Sequence, residues 1–154
     1  MSTKGNITVT IKNEKIAKFV NYIMKEGKKT LAMKILSNTF ETMKKKGFDK
    51  PEDVFEKAFE NVMPRIEVRP KRVGGSIYQV PQEVNAKRQF ALAVRWVLAS
   101  ARAKKGGDFS NFLAQELIEA SQETGNAVKK KLEVYKMAEA NKAFARFART
   151  TKKK

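Results

Sequence analysis

Apolar residues recur every three or four positions along most of this chain, which is the spacing of helices with one buried face. The first two such segments span residues 14–26 and 30–46, and each is followed by a glycine. Pro51 opens a third segment, and Pro64 ends it. Glycine after the last turn and proline in the first turn are typical of helix termini. The pattern therefore predicts three helices before residue 65.

Between residues 65 and 80 the apolar period becomes two, on either side of Gly74-Gly75. A Gly-Gly pair is a favoured two-residue turn between antiparallel strands. Pro70 and Pro81 lack the N–H group that a central strand needs. We therefore predict a β-hairpin over about residues 65–81 that forms an exposed arm, with Arg, Lys and Gln at its outward positions.

Three more helical segments span about residues 85–103, 110–123 and 127–147. The predicted fold class is mainly α, as a single domain of about six helices with one extended basic β-hairpin arm between the third and fourth helices. We place a short extension at residues 1–13, the helical domain at 14–149 and a Lys-rich tail at 150–154. No internal repeat and no second domain are visible.

The net charge is large and positive. The 154 residues include 33 Lys and Arg against 16 Asp and Glu, a formal charge of +17, and six of the eight Arg lie between Arg65 and Arg102. Such an excess opposes compactness by self-repulsion and is typical of proteins that bind polyphosphate. The chain has no Cys and no His, which excludes disulfides, thiolate zinc sites and His-based catalytic triads.

No apolar run is long enough to cross a membrane, and the first residues fit neither a signal nor a transit pattern. We therefore expect a protein of a reducing cytosol or an organelle matrix.

Arginines form a stripe on the predicted fourth helix. Arg88, Arg95 and Arg102 are seven residues apart, which returns to nearly the same helix face, and Lys104 and Lys105 follow at the exit. A solvated charged face usually alternates in sign, but residues 85–103 contain no acid. The stripe therefore favours phosphate binding.

A second stripe follows spacings of 4, 7, 4 and 3 on the predicted sixth helix and consists of Lys131, Tyr135, Lys142, Arg146 and Arg149. An aromatic ring among cations suits irregular RNA, whose unstacked bases can lie on the ring. A half-buried edge position is the equally favoured alternative for the tyrosine. The opposite side is expected to face the core and carries Ala140, Ala143, Phe144 and Phe147.

The predicted hairpin is the third basic surface, with one acid, Glu67, against four basic residues, and it carries Arg65, Arg69, Lys71, Arg72, Tyr78 and Gln79. Charges can also serve an edge hairpin by preventing aggregation, but this imbalance of sign favours binding. Acids concentrate instead on the third helix, at Glu52, Asp53, Glu56 and Glu60. The helix dipole favours acids near a helix start, and without His partners we expect neither catalysis nor metal binding from them.

Four segments resemble small-subunit ribosomal protein S-seven of bacteria and organelles. They are GKK at 27–29, ENVMPRIEVRPKRVGGSIYQVP at 60–81, ALAVRWVLASAR at 91–102 and AVKKKLEVYKMAEANKAFARF at 127–147. The resemblance covers about residues 14–147 and implies a primary binder of 16S rRNA that docks on the 3′ major domain and nucleates assembly of the subunit head. It also implies a place at the subunit interface near the exit (E) site, where the hairpin and last helix approach tRNA and mRNA. The implied protein neighbours are S-nine of the head and S-eleven of the platform.

With this resemblance, rRNA binding is expected at Lys28, Lys29, Arg65, Arg69, Lys71, Arg72, Arg88, Arg95, Arg102, Lys104, Lys105, Lys129, Lys130 and Lys131. Proximity to E-site tRNA and mRNA is expected for Gly74, Gly75, Tyr78, Gln79, Tyr135, Lys142, Arg146 and Arg149. A hairpin of only two strands is marginally stable alone, so we expect the arm to become well ordered only against rRNA or tRNA. We expect no enzymatic activity, cofactor, metal, membrane or small-molecule substrate.

The chain departs from the family at its N-terminus and in its last helix. The family usually begins with an Arg-rich arm and a Pro-Asp-Pro motif, whereas residues 3–13 hold only two lysines, so N-terminal rRNA contacts are not carried over. The family usually has His where Tyr135 and Arg146 stand, and an acid where Leu132 stands. The competing function is that of a DNA-architectural protein with a basic β-arm, although Val73-Gly74-Gly75 is a poor wedge between base steps.

Overall fold

The computed structural model describes residues 14–148 and confirms a mainly helical fold with one β-hairpin. The α-helices are α1 (Glu14–Ile23), α2 (Lys29–Lys45), α3 (Pro51–Val62), α4 (Ala86–Ala103), α5 (Phe109–Ser121) and α6 (Asn126–Ala140). The strands β1 (Ile66–Val73) and β2 (Ser76–Glu83) lie between α3 and α4, and a 3-10 helix (Lys142–Phe147) follows α6. The predicted extension at 1–13 and tail at 150–154 lie outside the described residues.

Phenylalanine rings form the centre of the core. Phe19 of α1 meets Phe55 and Phe59 of α3 edge-on, with ring centroids 5.3 and 5.5 Å apart, and all three side chains are buried. Phe90 of α4 lies 5.3 Å from Phe59, which connects the fourth helix to the same cluster. Edge-to-face pairs of this kind add to the free energy gained by burying the rings.

The fifth helix is the hub of the helical body, because it packs against α2, α3, α4 and α6. Its Leu113 and Leu117 are fully buried. The buried hydroxyl of Ser110 donates to the carbonyl of Ile35 in α2, and the hydroxyl of Thr39 donates to the same carbonyl. Both hydroxyl groups at this contact between α5 and α2 are therefore hydrogen-bonded.

The hairpin has the predicted two-residue turn. Gly74 and Gly75 have φ angles of 57° and 86°, and both values lie in the left-handed region that favours glycine. The pairing runs from Val73 opposite Ser76 to Ile66 opposite Glu83. Near the root of the arm, Val80 is fully buried, so only the part of the hairpin towards the turn projects as an exposed arm.

The predicted helix over residues 127–147 is wrong beyond its first two-thirds, because α6 ends at Ala140. The side-chain amide of Asn141 donates to the carbonyl of Met137 at 2.8 Å. A short polar side chain that bonds to the preceding turn competes with the helical ladder, and the chain continues as the 3-10 helix.

The side chains expected to face the core beyond this break do not do so. Ala140 and Ala143 are exposed. Phe144 and Phe147 are half-buried, and their ring centroids lie 4.9 and 5.3 Å from that of Tyr78 in β2. The aromatic residues of the 3-10 helix therefore pack on the hairpin and not on the helical core.

Candidate nucleic-acid interface

An ion pair fastens the root of the hairpin to the fourth helix. The guanidinium of Arg88 donates to both carboxylate oxygens of Glu67, with Nε–Oε2 and Nη2–Oε1 distances of 2.6 and 3.0 Å. Glu67 is buried, and its hydrogen bonds raise the pKa of Arg88 above the ordinary value. Two-point arginine–carboxylate contacts fix orientation as well as distance.

This pairing changes the interpretation of the predicted arginine stripe. Two of the N–H groups of Arg88 bind Glu67, whereas Arg95 and Arg102 are exposed and form no ion pair within residues 14–148. Sequence reasoning missed the pair: Glu67 is the only acid of the first strand, but no local pattern identifies Arg88 as its partner.

A second contact joins the hairpin root to α6. The hydroxyl of Tyr135 accepts a hydrogen bond from the backbone N–H of Arg65 at 2.8 Å. The Tyr135 side chain is half-buried, and the Nζ of Lys131 lies 5.6 Å from the centre of its ring. The geometry therefore matches the edge position that was the alternative to base stacking for this tyrosine.

A third contact lies farther along the arm. The Nζ of Lys71 donates to the backbone carbonyl of Phe147, and Lys71 stands opposite Tyr78 in the strand register. The expectation that Lys71 points outward is wrong. Successive side chains of a strand point to opposite faces, so Lys71 shares the face of buried Glu67, and Arg72 occupies the other face.

The remaining hairpin sites are solvent-facing. Arg65, Arg69, Arg72 and Gln79 are exposed, as are Gly74 and Gly75 at the tip. The Nε of Arg69 lies 3.7 Å from Glu67, a looser contact than that of Arg88. The arm therefore presents arginines on its surface while its acid is turned inward.

A buried acid also holds the basic loop after α4. The Nζ of Lys104 lies 3.1 Å from Oε1 of Glu116, whose side chain is completely buried in α5. Because a buried carboxylate needs a partner, this lysine has a structural task that the sequence interpretation did not assign to it. The neighbouring Lys105 is exposed.

The other predicted lysines lie at two separate places. Lys129 and Lys130 are exposed in the first turns of α6 and line an open groove of about 390 Å³ between α4 and α6, beside Trp96. Lys28 and Lys29 are exposed at the start of α2, and Nζ of Lys28 lies 3.6 Å from a carboxylate oxygen of exposed Glu26. The two lysine pairs therefore lie at the start of α2 and in the first turns of α6, and do not form one cluster in sequence.

The break after α6 divides the predicted second stripe, so the expectation of one continuous stripe is wrong. Lys131 and Tyr135 lie on α6, whereas Lys142 and Arg146 lie on the 3-10 helix. The Nζ of Lys142 lies 3.0 Å from exposed Glu139, and the guanidinium of Arg146 lies 5.1 Å from the ring centre of Phe147. Arg149 lies outside the described residues.

The predicted acids lie on α3, where Asp53 and Glu60 are exposed. Glu56 lies 3.4 Å from Lys15 of α1, and over residues 14–148 no group of three or more Asp, Glu, His or Cys side chains is arranged to hold a metal ion. Among the helices of the same residues, none combines the length and the apolar character needed to span a membrane.

Comparison with known proteins agrees with the resemblance seen in the sequence. The family described as ribosomal protein S7p/S5e matches residues 3–142. A protein of Pseudothermotoga lettingae named small ribosomal subunit protein uS7 is 54% identical over 130 residues, which is 84% of each chain. Proteins of the same name from Thermotoga neapolitana and Thermotoga maritima are each 49% identical over 132 residues, covering 86% of this chain and 85% of theirs.

The contact between Glu67 and Arg88 predicts a local effect on the arm. Replacing Glu67 by Gln removes the charge that holds the guanidinium, so amide hydrogen exchange in β1 and β2 should become about five to ten times faster. Exchange in α1, α2 and α3 should stay unchanged. Glu139→Gln, which removes the exposed partner of Lys142, is the matched control and should leave the hairpin unaffected. Equal exchange in the Glu67→Gln variant and the wild type would show that the ion pair does not hold the arm.

Proposed function

Since this chain belongs to the ribosomal protein S7p/S5e family, we propose that it is a structural protein of the small ribosomal subunit that binds ribosomal RNA and catalyses no reaction. The observation that carries the proposal is the match over residues 3–142 together with relatives about half identical in sequence that are named small ribosomal subunit proteins. The formal charge of +17 agrees with a polyphosphate partner.

We further propose that the helical body docks on the 3′ major domain of 16S rRNA and nucleates assembly of the subunit head. Exposed cations that have no carboxylate partner within residues 14–148 are the groups suited to phosphate contact, and they include Arg95, Arg102, Lys105, Lys129 and Lys130. Arg88 and Lys104 are each paired with a buried acid, so they hold neighbouring elements together.

The hairpin is proposed to reach the E-site tRNA and mRNA. Its tip at Gly74-Gly75 and the side chains of Arg72 and Gln79 are exposed, which supports this role. Tyr78 supports the arm by packing on the 3-10 helix. The protein is proposed to be ribosome-bound, in the cytoplasm or in an organelle matrix. The proposed protein neighbours are S-nine of the head and S-eleven of the platform.

The salt dependence of binding tests the phosphate contacts. The binding constant K for the transcribed 3′ major domain of 16S rRNA should fall linearly as log K against log[salt]. Replacing Arg95 and Arg102 together by Gln should make this slope shallower by about 1.5, because about two phosphate contacts are lost. Lys50→Gln combined with Lys57→Gln removes the same charge from exposed positions around α3 and is the control. An unchanged slope in the double Arg variant would mean that this face of α4 does not meet RNA.

A direct competition separates this proposal from a DNA-architectural function. The protein should prefer the folded 3′ major domain to duplex DNA of equal length at physiological salt, because RNA junctions present splayed bases and 2′-hydroxyls. A fluorescently labelled RNA displaced by each unlabelled competitor measures the preference. Equal competition by duplex DNA would favour the DNA-architectural function.

A further inference from the structure

A groove that the sequence interpretation did not single out lies between α1 and the first turn of α4. Its volume is about 740 Å³, within the range of about 300–1,000 Å³ that holds small ligands. The side chains that give it chemical character are Lys15, Lys18, Asn21, Tyr22, Lys87 and Phe90. No carboxylate is among its lining residues over the described part of the chain.

An exposed aromatic ring stands in the wall of this groove. Tyr22 is 41% exposed, and its ring lies edge-to-face on Phe90 with centroids 6.4 Å apart. Phe90 is itself buried and packs on Phe59 of the core. The Tyr22 ring is therefore supported by the core while part of it remains open to solvent, which is the arrangement of a base-stacking platform.

Cations surround the ring on two elements. Lys15, Lys18 and Tyr22 follow spacings of 3 and 4 residues, so they share one face of α1. Lys87 adds a cation from the first turn of α4, where the helix dipole is positive. Lys15 lies 3.4 Å from Glu56, whereas Lys18 and Lys87 have no carboxylate partner within residues 14–148.

Amide side chains supply hydrogen-bonding groups of the kind that read base edges. Asn21 is exposed at the groove beside Tyr22. Gln89 also lines the groove, and its side-chain N–H donates to the carbonyl of Val84, which fixes the amide. A ring, two amides and cations, of which Lys18 and Lys87 have no carboxylate partner within residues 14–148, fit a nucleotide better than they fit an apolar protein segment.

We propose that this groove binds an unstacked nucleotide of ribosomal RNA, with the base on the Tyr22 ring and the flanking phosphates at Lys18 and Lys87. The inference rests on the proposed function and adds a site of base contact to a surface otherwise made of phosphate contacts. Stacking on an aromatic ring tolerates different bases, so the site selects an unpaired nucleotide and not a particular sequence.

Substitution of the ring tests the proposal with the transcribed 3′ major domain of 16S rRNA as the probe. Tyr22→Ala should weaken binding by about 5- to 100-fold, with the salt slope unchanged, because stacking is not a phosphate contact. Tyr22→Phe should bind within about twofold of the wild type, since the ring is retained. Leu132→Ala, which truncates another exposed apolar side chain, is the control and should bind as the wild type does.

Ultraviolet cross-linking followed by mass spectrometry provides a second readout. It should attach RNA to the peptide that contains Tyr22, and bound RNA should protect Lys18 and Lys87 from acetylation. Provided that the wild type binds the RNA, two results would overturn stacking at this ring. One is wild-type affinity in Tyr22→Ala, and the other is a loss of affinity in Tyr22→Phe as large as that in Tyr22→Ala. If the wild type itself fails to bind the RNA at low salt, the proposed function fails instead. Protection of the lysines only when another subunit protein is added would assign the groove to a protein partner and overturn the proposal.

Discussion

The ion pair between Glu67 and Arg88 is the constraint on which the geometry of the basic surface depends. The hairpin is a two-stranded element, too small to be stable alone, so its direction must be set by what its root contacts. The two-point contact with Arg88 aligns β1 with α4, and the hydroxyl of Tyr135 holds the backbone at Arg65. With Tyr78 packed on Phe144, the arm is joined to α4, α6 and the 3-10 helix.

Each of the two acids that are buried within residues 14–148 is paired with a cation. Glu67 binds Arg88, and buried Glu116 lies beside Lys104. Arg95 and Arg102 are left exposed and form no ion pair within residues 14–148, which is the state suited to the proposed phosphate contacts. The basic residues thus divide into those that support the surface and those that form it.

Local signals in the sequence were sufficient for most of the fold. Pro51 and the glycines after the first two helices set the helix bounds to within a few residues, and Gly74-Gly75 fixed the turn of the hairpin. The exposed cations Arg95 and Arg102 were also predictable, because a helix with one apolar face leaves its other face in solvent.

Features that depend on distant residues were not predictable from the sequence. Glu67 and Arg88 lie 21 residues apart, and Lys71 and Phe147 lie 76 apart, so no local pattern pairs them. The end of α6 at Ala140 was missed because the apolar period continues to Phe147, although those rings pack on the hairpin. The groove at Tyr22 arises only when α1 and α4 are brought together.

The central claim is that contacts at its root fix the direction of the hairpin before RNA binds. The sequence alone predicts the opposite, that the hairpin becomes ordered only against RNA, so the order of the arm in the free protein is the most direct test. The chain contains no Cys, so Ser76→Cys in the arm and Asn38→Cys on α2 allow spin labels at two defined, exposed positions. Pulsed electron paramagnetic resonance should give one narrow distance distribution in the free protein, with the same mean after the 3′ major domain RNA is bound. A broad distribution in the free protein that narrows only with RNA would contradict the account.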